Sequence, residues 1–336
     1  MAHGSPGTFE VSEVPDPVAG EGEVVVRVAA CGLNHLDLWL EEAGLPVPVE
    51  LPRIPGGEVS GTVAGLGPGV AGWNLGDRVA IQSNLFCGRC EYCMRGEESM
   101  CLDGRLLGVQ CDGGFAELVK VPARTLVRLP ESVEFISSAA LTLAGSTAMH
   151  MLTDRTRVQP GQWVLVVGGA SGVGASAIQI ARGLGARVLA TASTPAKRAF
   201  CESLGAEGVV DPADPDWPGK VRQMTAKRGV DLVVEHVGGK LLERVFHCLA
   251  RGGTVVTCGA TAGRDISMNL WPFFVKQQRL IGSYGRTRKD LIETLAWAEA
   301  GRLKAAVDEV IPLARGAEAF ARLRERKVNG KLVLVP

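Results

Sequence analysis

The sequence predicts an α/β protein in which a β-rich part precedes a doubly wound parallel sheet, and three observations point there. Its 336 residues suit two domains better than one at roughly 150 residues per domain. From Glu23 to about Val127, short apolar runs are separated by Gly/Pro punctuation. After Glu131, strand-like runs alternate with helical patterns, the rhythm of βαβ units. Apolar residues make up 46% and charged residues 21%, with 36 basic against 36 acidic side chains. That composition excludes a disordered chain and supplies no general field for nucleic acid or membrane, so small-molecule partners are expected.

The elements follow in order. The β-rich part holds Val24–Ala30, Val59–Ala64, Asp77–Gln82 and Phe115–Val121, punctuated by Gly20-Glu21-Gly22 and Gly67-Pro68-Gly69. The parallel sheet is expected from Trp163–Val167, Arg187–Thr191, Asp231–Glu235, Thr254–Cys258 and Arg279–Gly282. Helical patterns at Lys289–Ala300 and Arg315–Arg326 and a last strand, Lys331–Val335, form a tail expected to rejoin the first domain. Two uncharged stretches, Phe135–Thr153 and Gln159–Ala181, approach membrane-span length, but hydroxyls and His150 interrupt the first and five glycines the second. Met1–Glu10 has no basic segment followed by an apolar one, so a cytoplasmic protein is expected.

The strand Trp163–Val167 runs directly into Gly168-Gly169-Ala170-Ser171-Gly172-Val173-Gly174, and an apolar helical pattern follows at Ala177, Ile178, Ile180, Ala181 and Leu184. A backbone that approaches a pyrophosphate closely tolerates no side chains there, and the amides opening the helix supply an anion site. Gly169, Ser171, Gly172, Val173 and Gly174 are therefore candidate cofactor contacts in a Rossmann-type domain; the alternative is a ligand-free tight turn. The next strand should end on an acid that grips the ribose hydroxyls of NAD. Instead the sequence reads Thr191-Ala192-Ser193-Thr194-Pro195-Ala196-Lys197-Arg198. Ser193 and Lys197 suit a 2′-phosphate, which favours NADPH over NADH. Thr194 is equally a helix N-cap ahead of Pro195, with Lys197 solvated.

Four of the nine cysteines fall in the pattern Cys87-x2-Cys90-x2-Cys93-x7-Cys101. Four thiolates on one short loop close around a tetrahedral Zn²⁺ and leave no open position, so one structural zinc per chain is expected, with Arg89, Arg95 and Arg105 near in sequence to screen the charge.

With these residues in view, the chain resembles the medium-chain dehydrogenase/reductase superfamily, the zinc alcohol dehydrogenase and quinone oxidoreductase group. The resemblance rests on Gly56-Gly57-Glu58 with Gly61, Gly76-Asp77-Arg78-Val79, the cysteine lobe, Gly113-Gly114-Phe115-Ala116-Glu117, the glycine-rich turn and Asn329-Gly330-Lys331. It implies a GroES-like catalytic domain, residues 1–143 and 284–336 with a zinc lobe at about 84–105. A Rossmann domain at 144–283, an active site in the cleft, and a homodimer or homotetramer are also implied. By the same resemblance His35 and Lys331 would lie near cofactor phosphates. Thr147 would stand beside the nicotinamide, with Val237, Cys258, Gly259 and Ala260 along it, and Trp39 and Trp271 would be lining or core.

The departures carry the functional expectation. Alcohol-oxidising members hold a catalytic zinc with a Cys in Gly-x-Cys, a His in Gly-His-Glu and a second Cys before the Rossmann domain. The corresponding residues here are Asn34, Gly57 and Leu143, and the position of the proton-relaying hydroxyl is Leu36. Gly57 and Leu143 offer no donor, and an Asn carbonyl suits Zn²⁺ poorly. Without that metal the interconversion of alcohol and carbonyl loses its main electrostatic stabilisation. What remains is hydride transfer to a carbon that already carries an electron sink; similarity to the family's zinc-free quinone oxidoreductases and ene-reductases, whose Asn-x-x-Asp segment resembles Asn34-His35-Leu36-Asp37, implies NADPH as donor and an activated C=C bond or a quinone as acceptor. Asn34 is the candidate donor to the developing oxyanion, Asp37 a structural acceptor, and His236 and Tyr284 candidate proton donors. Two alternatives stay open: a zinc-dependent alcohol dehydrogenase with the atypical ligands His35, Asp37 and Glu58, and a non-catalytic NADPH-binding protein of structural or regulatory use.

Overall fold

The computed structural model describes residues 7, 9–42, 44–45 and 47–336. The first part of the chain supplies β1 (Glu23–Gly32), β2 (Glu58–Leu66), β3 (Arg78–Ile81), β4 (Asn84–Leu85), β5 (Arg105–Leu106), β6 (Leu118–Pro122) and β7 (Leu126–Arg128). The middle supplies β8 (Trp163–Val166), β9 (Arg187–Thr191), β10 (Gly208–Val210), β11 (Val230–Glu235), β12 (Leu249–Thr257) and β13 (Arg279–Gly282); β14 (Val307–Pro312) and β15 (Lys331–Val335) close the chain. Two units result, one of Met1–Ser146, Arg286–Gly301 and Ala305–Pro336, the other of Thr147–Gly285 and Arg302–Lys304.

In the first unit the strands run in the order β14-β15-β1-β2-β3-β7, and β6 also pairs with β1. The long strand β1 is central. Its start lies antiparallel to β6 (Val24 opposite Val121) and its end antiparallel to β15 (Cys31 opposite Leu334), so the tail does rejoin the β-rich part. The inward residues Val24, Val26 and Val28 meet Val59, Val63, Val79, Leu126, Leu332 and Leu334 in one core. Phe9 closes that core by stacking on Phe320 at 4.5 Å with Phe115 edge-on. Phe115 itself precedes β6 and lies outside the strand expected to begin with it.

The second unit is a six-stranded parallel sheet of order β10-β9-β8-β11-β12-β13, a doubly wound arrangement whose direction reverses between β8 and β11. Helix Gly172–Gly183 buries Ala177, Ile178, Ile180 and Ala181, as its apolar spacing requires. Leu165, Val233 and Val255 pack with Trp217, Val221, Leu242 and Val245 from the helices Trp217–Met224 and Gly239–Val245. Among the described residues, no single helix is long and apolar enough to cross a membrane.

Candidate functional site

The glycine-rich turn follows β8, at the point where strand order reverses, which is where open α/β sheets bind ligands. The Gly168 amide donates to Thr191 Oγ1 at 3.0 Å and the Gly169 amide to the Thr191 carbonyl at 2.9 Å, fixing the turn against β9. A Cβ on Gly174 would lie 2.3 Å from the Gly168 carbonyl oxygen, so the helix can sit this close to the strand only with hydrogen there. Ser171 caps the helix by accepting from the Gly174 amide at 3.0 Å. The first intrahelical bond runs from Ala175 N to Ser171 O, so the Gly172 and Val173 amides have no partner within the helix. A cradle without side chains ending in helix-opening amides fits the pyrophosphate of a dinucleotide.

His236 joins this turn, since its Nε2 lies 2.8 Å from Ser171 Oγ. That contact gives it a part in shaping the cofactor cradle. The loop after β12 packs on the loop after β11: a Cβ on Gly259 would meet the His236 carbonyl at 2.3 Å, and the Ala262 amide donates to Val237 O at 2.7 Å. Cys258, Gly259, Ala260 and Val237 are thereby gathered beside the turn. The organiser of this corner is Glu235, fully buried, whose carboxylate accepts from the Val237 and Gly238 amides at 2.7 Å and from Thr257 Oγ1 at 2.8 Å. Burial pushes its carboxyl up and those bonds pull it back. Its place within an apolar strand hid it from a sequence reading, although an acid ending a buried strand is itself a signal.

Thr147 is buried, while Tyr284 is 59% exposed just beyond β13. Ser193 is exposed in the turn after β9. Thr194 does cap the next helix, accepting from Lys197 N at 3.2 Å, and Lys197 stands in its first turn. Arg198 is committed elsewhere, bound to Asp211 at 3.0 Å and to the Ala192 carbonyl.

In the first unit the four cysteine sulfurs converge, with all ligand atoms within 4.8 Å of one another. The contacts Cys87–Cys93 at 3.9 Å, Cys90–Cys93 at 3.5 Å and Cys90–Cys101 at 3.9 Å match the edges of a ZnS₄ tetrahedron, about 3.8 Å for Zn–S bonds near 2.3 Å. Backbone amides of Cys87, Arg89 and Cys90 point at the sulfurs, as thiolates require. The residues fit a closed structural zinc site, and among the described residues no other His/Cys/Asp/Glu group gathers in this way.

Around Asn34 and Leu143, two of the positions the resemblance gives to the catalytic zinc ligands, a buried hydrogen-bond cluster centres on Glu58. Glu58 is fully buried: Oε1 accepts from the Leu143 and Ala144 amides at 2.7 and 2.8 Å. Its Oε2 accepts from Lys331 Nζ at 2.6 Å and Asn34 Nδ2 at 3.0 Å. Lys331, 4% exposed, also donates to Leu33 O at 2.6 Å and Asn34 Oδ1 at 2.7 Å. Two expectations are corrected by this count. All three ammonium hydrogens are used, so Lys331 has none for cofactor phosphates. Both Asn34 amide hydrogens are used, on Glu58 and on Gly32 O at 3.3 Å, so Asn34 is not a ready oxyanion donor. A Cβ on Gly57 would lie 2.9 Å from the Leu107 carbonyl oxygen. The residues present do not fit a catalytic zinc.

The atypical ligand set fares no better. Asp37 is a structural acceptor, taking the Asn34 amide at 2.8 Å and the Gly56 amide at 3.1 Å, with burial lifting its carboxyl to about 6. Burial, aided by the positive charges of Lys331 and Arg326, lowers His35 to about 4, so at neutral pH it carries no charge for a phosphate.

Comparison with known proteins agrees with both units. Residues 20–131 match the alcohol dehydrogenase GroES-like domain and residues 172–300 the zinc-binding dehydrogenase domain. An alcohol dehydrogenase of Geobacillus stearothermophilus is 35% identical over 97% of this chain and 96% of its own. The crystal structure of an NAD-dependent alcohol dehydrogenase is 39% identical with a TM-score of 0.95, covering 100% of this chain and 98% of that one. A crotonyl-CoA carboxylase/reductase structure is 27% identical with a TM-score of 0.91, over 99% of this chain and 85% of that one. With a GroES-like unit, a nucleotide-binding sheet and a four-cysteine lobe in family order, the chain belongs to the zinc-type alcohol dehydrogenase-like branch of the medium-chain dehydrogenase/reductase superfamily.

Proposed function

We propose that this oxidoreductase uses NADPH to reduce an activated C=C bond, as in an enone, enal or acryloyl group, or a quinone, without a catalytic metal. The observation that carries this reading is the set Asn34, Gly57 and Leu143 at the positions where the resemblance puts the zinc ligands: Gly57 and Leu143 have no donor atom, and Asn34 Oδ1 already accepts from Lys331. NADPH supplies a hydride when bound. The chain holds it through the Gly168–Gly174 turn, with Ser171 and His236 fixing the loop and Ser193 and Lys197 facing the 2′-phosphate. An acceptor that spreads the incoming charge over its own conjugated carbonyl needs no Lewis acid, whereas a plain carbonyl does. Similarity to a carboxylase/reductase named for crotonyl-CoA, an α,β-unsaturated thioester, supports this class of acceptor. Both proposed proton donors, His236 and Tyr284, are secondary, because solvent water can protonate the α-carbon.

We further propose a homodimer or homotetramer acting on small molecules. In support, the edge strand β13 exposes Leu280, and the helix Leu270–Val275 exposes Leu270, Trp271 and Phe274, an apolar patch.

The test is NADPH oxidation across quinones, enones, enals and simple aldehydes, beside metal quantification. Turnover of conjugated acceptors alone is expected. Chelator-sensitive oxidation of plain alcohols would restore the alcohol dehydrogenase reading that the relatives' names carry, and tight NADPH binding with no turnover would favour the non-catalytic one.

A further inference from the structure

We infer that Ser171 and His236 form a side-chain pair that meets the cofactor's pyrophosphate, the Ser171 hydroxyl donating to it while His236 Nε2 holds that hydroxyl in place; the inference rests on the reading that this turn binds a dinucleotide. The glycine fingerprint of such turns is G-x-G-x-x-G, and its second glycine lets the backbone approach the pyrophosphate. Here the three positions are Gly169, Ser171 and Gly174, so a hydroxyl stands where the ligand comes closest. Ser171 has φ −81° and ψ 169°, extended backbone that demands no glycine. What the position adds to the turn is therefore a side-chain donor and acceptor.

A hydroxyl has one hydrogen and two acceptor lone pairs. One lone pair of Ser171 Oγ takes the Gly174 amide at 3.0 Å. His236 Nε2 lies 2.8 Å from the same oxygen, and the ring tautomer decides which atom donates. If Oγ gave its hydrogen to the ring, a lone pair would be left facing an arriving anion. If Nε2 carries the hydrogen, the ring fills the second lone pair, and the hydroxyl hydrogen remains for a phosphate oxygen beside the Gly172 and Val173 amides. An anion therefore selects the Nε2–H tautomer. The ring and its backbone are packed to hold this contact. A Cβ on Gly168 would lie 3.3 Å from His236 Nε2, and a Cβ on Gly259 would lie 2.3 Å from the His236 carbonyl oxygen. The next two amides, of Val237 and Gly238, are fixed on the buried Glu235 carboxylate at 2.7 Å. His236 is thus a positioning residue for the turn.

The experiment is calorimetric binding of NADPH, NADH and ADP-ribose to the zinc-loaded protein, because all three carry the pyrophosphate and ADP-ribose lacks the nicotinamide. Ser171→Gly installs the fingerprint glycine, removes the hydroxyl, and should weaken all three by roughly 10- to 100-fold, the worth of one hydrogen bond to a charged group. His236→Phe should weaken them by about tenfold when Ser171 is present and by less than about twofold in the Ser171→Gly background. His236→Gln keeps a nitrogen donor in the place of Nε2 and should stay within about threefold of the wild type. A Ser171→Gly variant that binds as tightly as the wild type, or losses from the two changes that simply multiply, would overturn the inference. So would a His236 effect confined to NADPH and NADH, which marks a role at the nicotinamide. Should His236→Phe fail to fold, Ser171→Gly and His236→Gln still decide. Cofactor preference is a separate outcome: a wild type that binds NADH more tightly than NADPH overturns the 2′-phosphate pocket, and the pair is then judged on NADH. A wild type that binds none of the three overturns the dinucleotide reading and the pair with it.

Discussion

Replacing Ser193 by Asp restores the acid that NAD-preferring sheets place after their second strand, and the structure sets the size of the effect. Ser193 is exposed in the turn after β9, with Lys197 in the first turn of the helix behind it. Because the position is wet, the water end of Coulomb's law applies, about 1 kcal/mol per pair of unit charges at 4 Å. A 2′-phosphate carries close to two charges, so the repulsion is about 2 kcal/mol, or roughly a 30-fold loss of NADPH affinity at 1.4 kcal/mol per decade. NADH has no such phosphate and gains hydrogen bonds from its ribose hydroxyls to the new carboxylate, typically 1.5–3 kcal/mol for charged groups. The ratio of the two affinities should therefore swing by on the order of a hundredfold or more. Fluorescence titration of the zinc-loaded protein with each cofactor measures it, and raising the salt should shrink the NADPH penalty. A wild type that binds NADH as tightly as NADPH, or a Ser193→Asp variant whose NADPH affinity moves less than twofold, would refute the assignment of this pocket.

Gly174→Ala puts a methyl 2.3 Å from the Gly168 carbonyl, so cofactor affinity should fall at least tenfold with zinc content unchanged, and titration with either dinucleotide shows whether it does. The pH dependence of stability should change in His35→Gln. His35 has a folded pKa of about 4 against 6.5 unfolded, so the unfolded chain binds the extra proton and stability rises with pH between those values. Asp37, lifted from 3.8 to about 6, acts oppositely over nearly the same window. Removing His35 should leave the falling slope of Asp37 uncovered, and a Tm profile of His35→Gln between pH 4 and 6.5 that parallels the wild type would contradict this.

What could be read from the sequence was what the chain writes contiguously. The turn Gly168–Gly174 and the thiols Cys87–Cys101 each lie within one short segment, where spacing alone sets geometry. Short strands with weak patterns, β10 and β14, escaped notice, since three residues at Gly208–Val210 cannot show alternation and β14 carries Asp308 and Glu309. The Glu58–Lys331–Asn34 cluster was harder still. Its partners come from the start of β2, the start of β15 and the residue capping helix His35–Glu41, and a lysine in the chain's last strand gives no sign of which buried carboxylate it will meet. The family resemblance alone sets Lys331 near the phosphates, and it says nothing of the buried carboxylate that the lysine meets here.

The contrast between the two metal positions has a physical cause. In the cysteine lobe the helix Glu91–Met94 and the turn Glu98–Met100 bury no residue at all, so that stretch has no core of its own. Four thiols brought within contact there fit a cation, which would hold them as thiolates and supply the closure that a hydrophobic core does not. Around Glu58 the situation is reversed, because Cys31, Leu33, Leu107 and Leu141 are each at most 2% exposed and Lys331 supplies the counter-charge from within the chain. A segment already held by its core and an internal ion pair keeps its shape without metal. On the proposed reading, then, a metal is not needed to hold the fold around Glu58, whereas the cysteine lobe is the place where one would be. A chain built on this scaffold can give up Lewis-acid chemistry without unfolding, provided its substrate carries the electron sink itself.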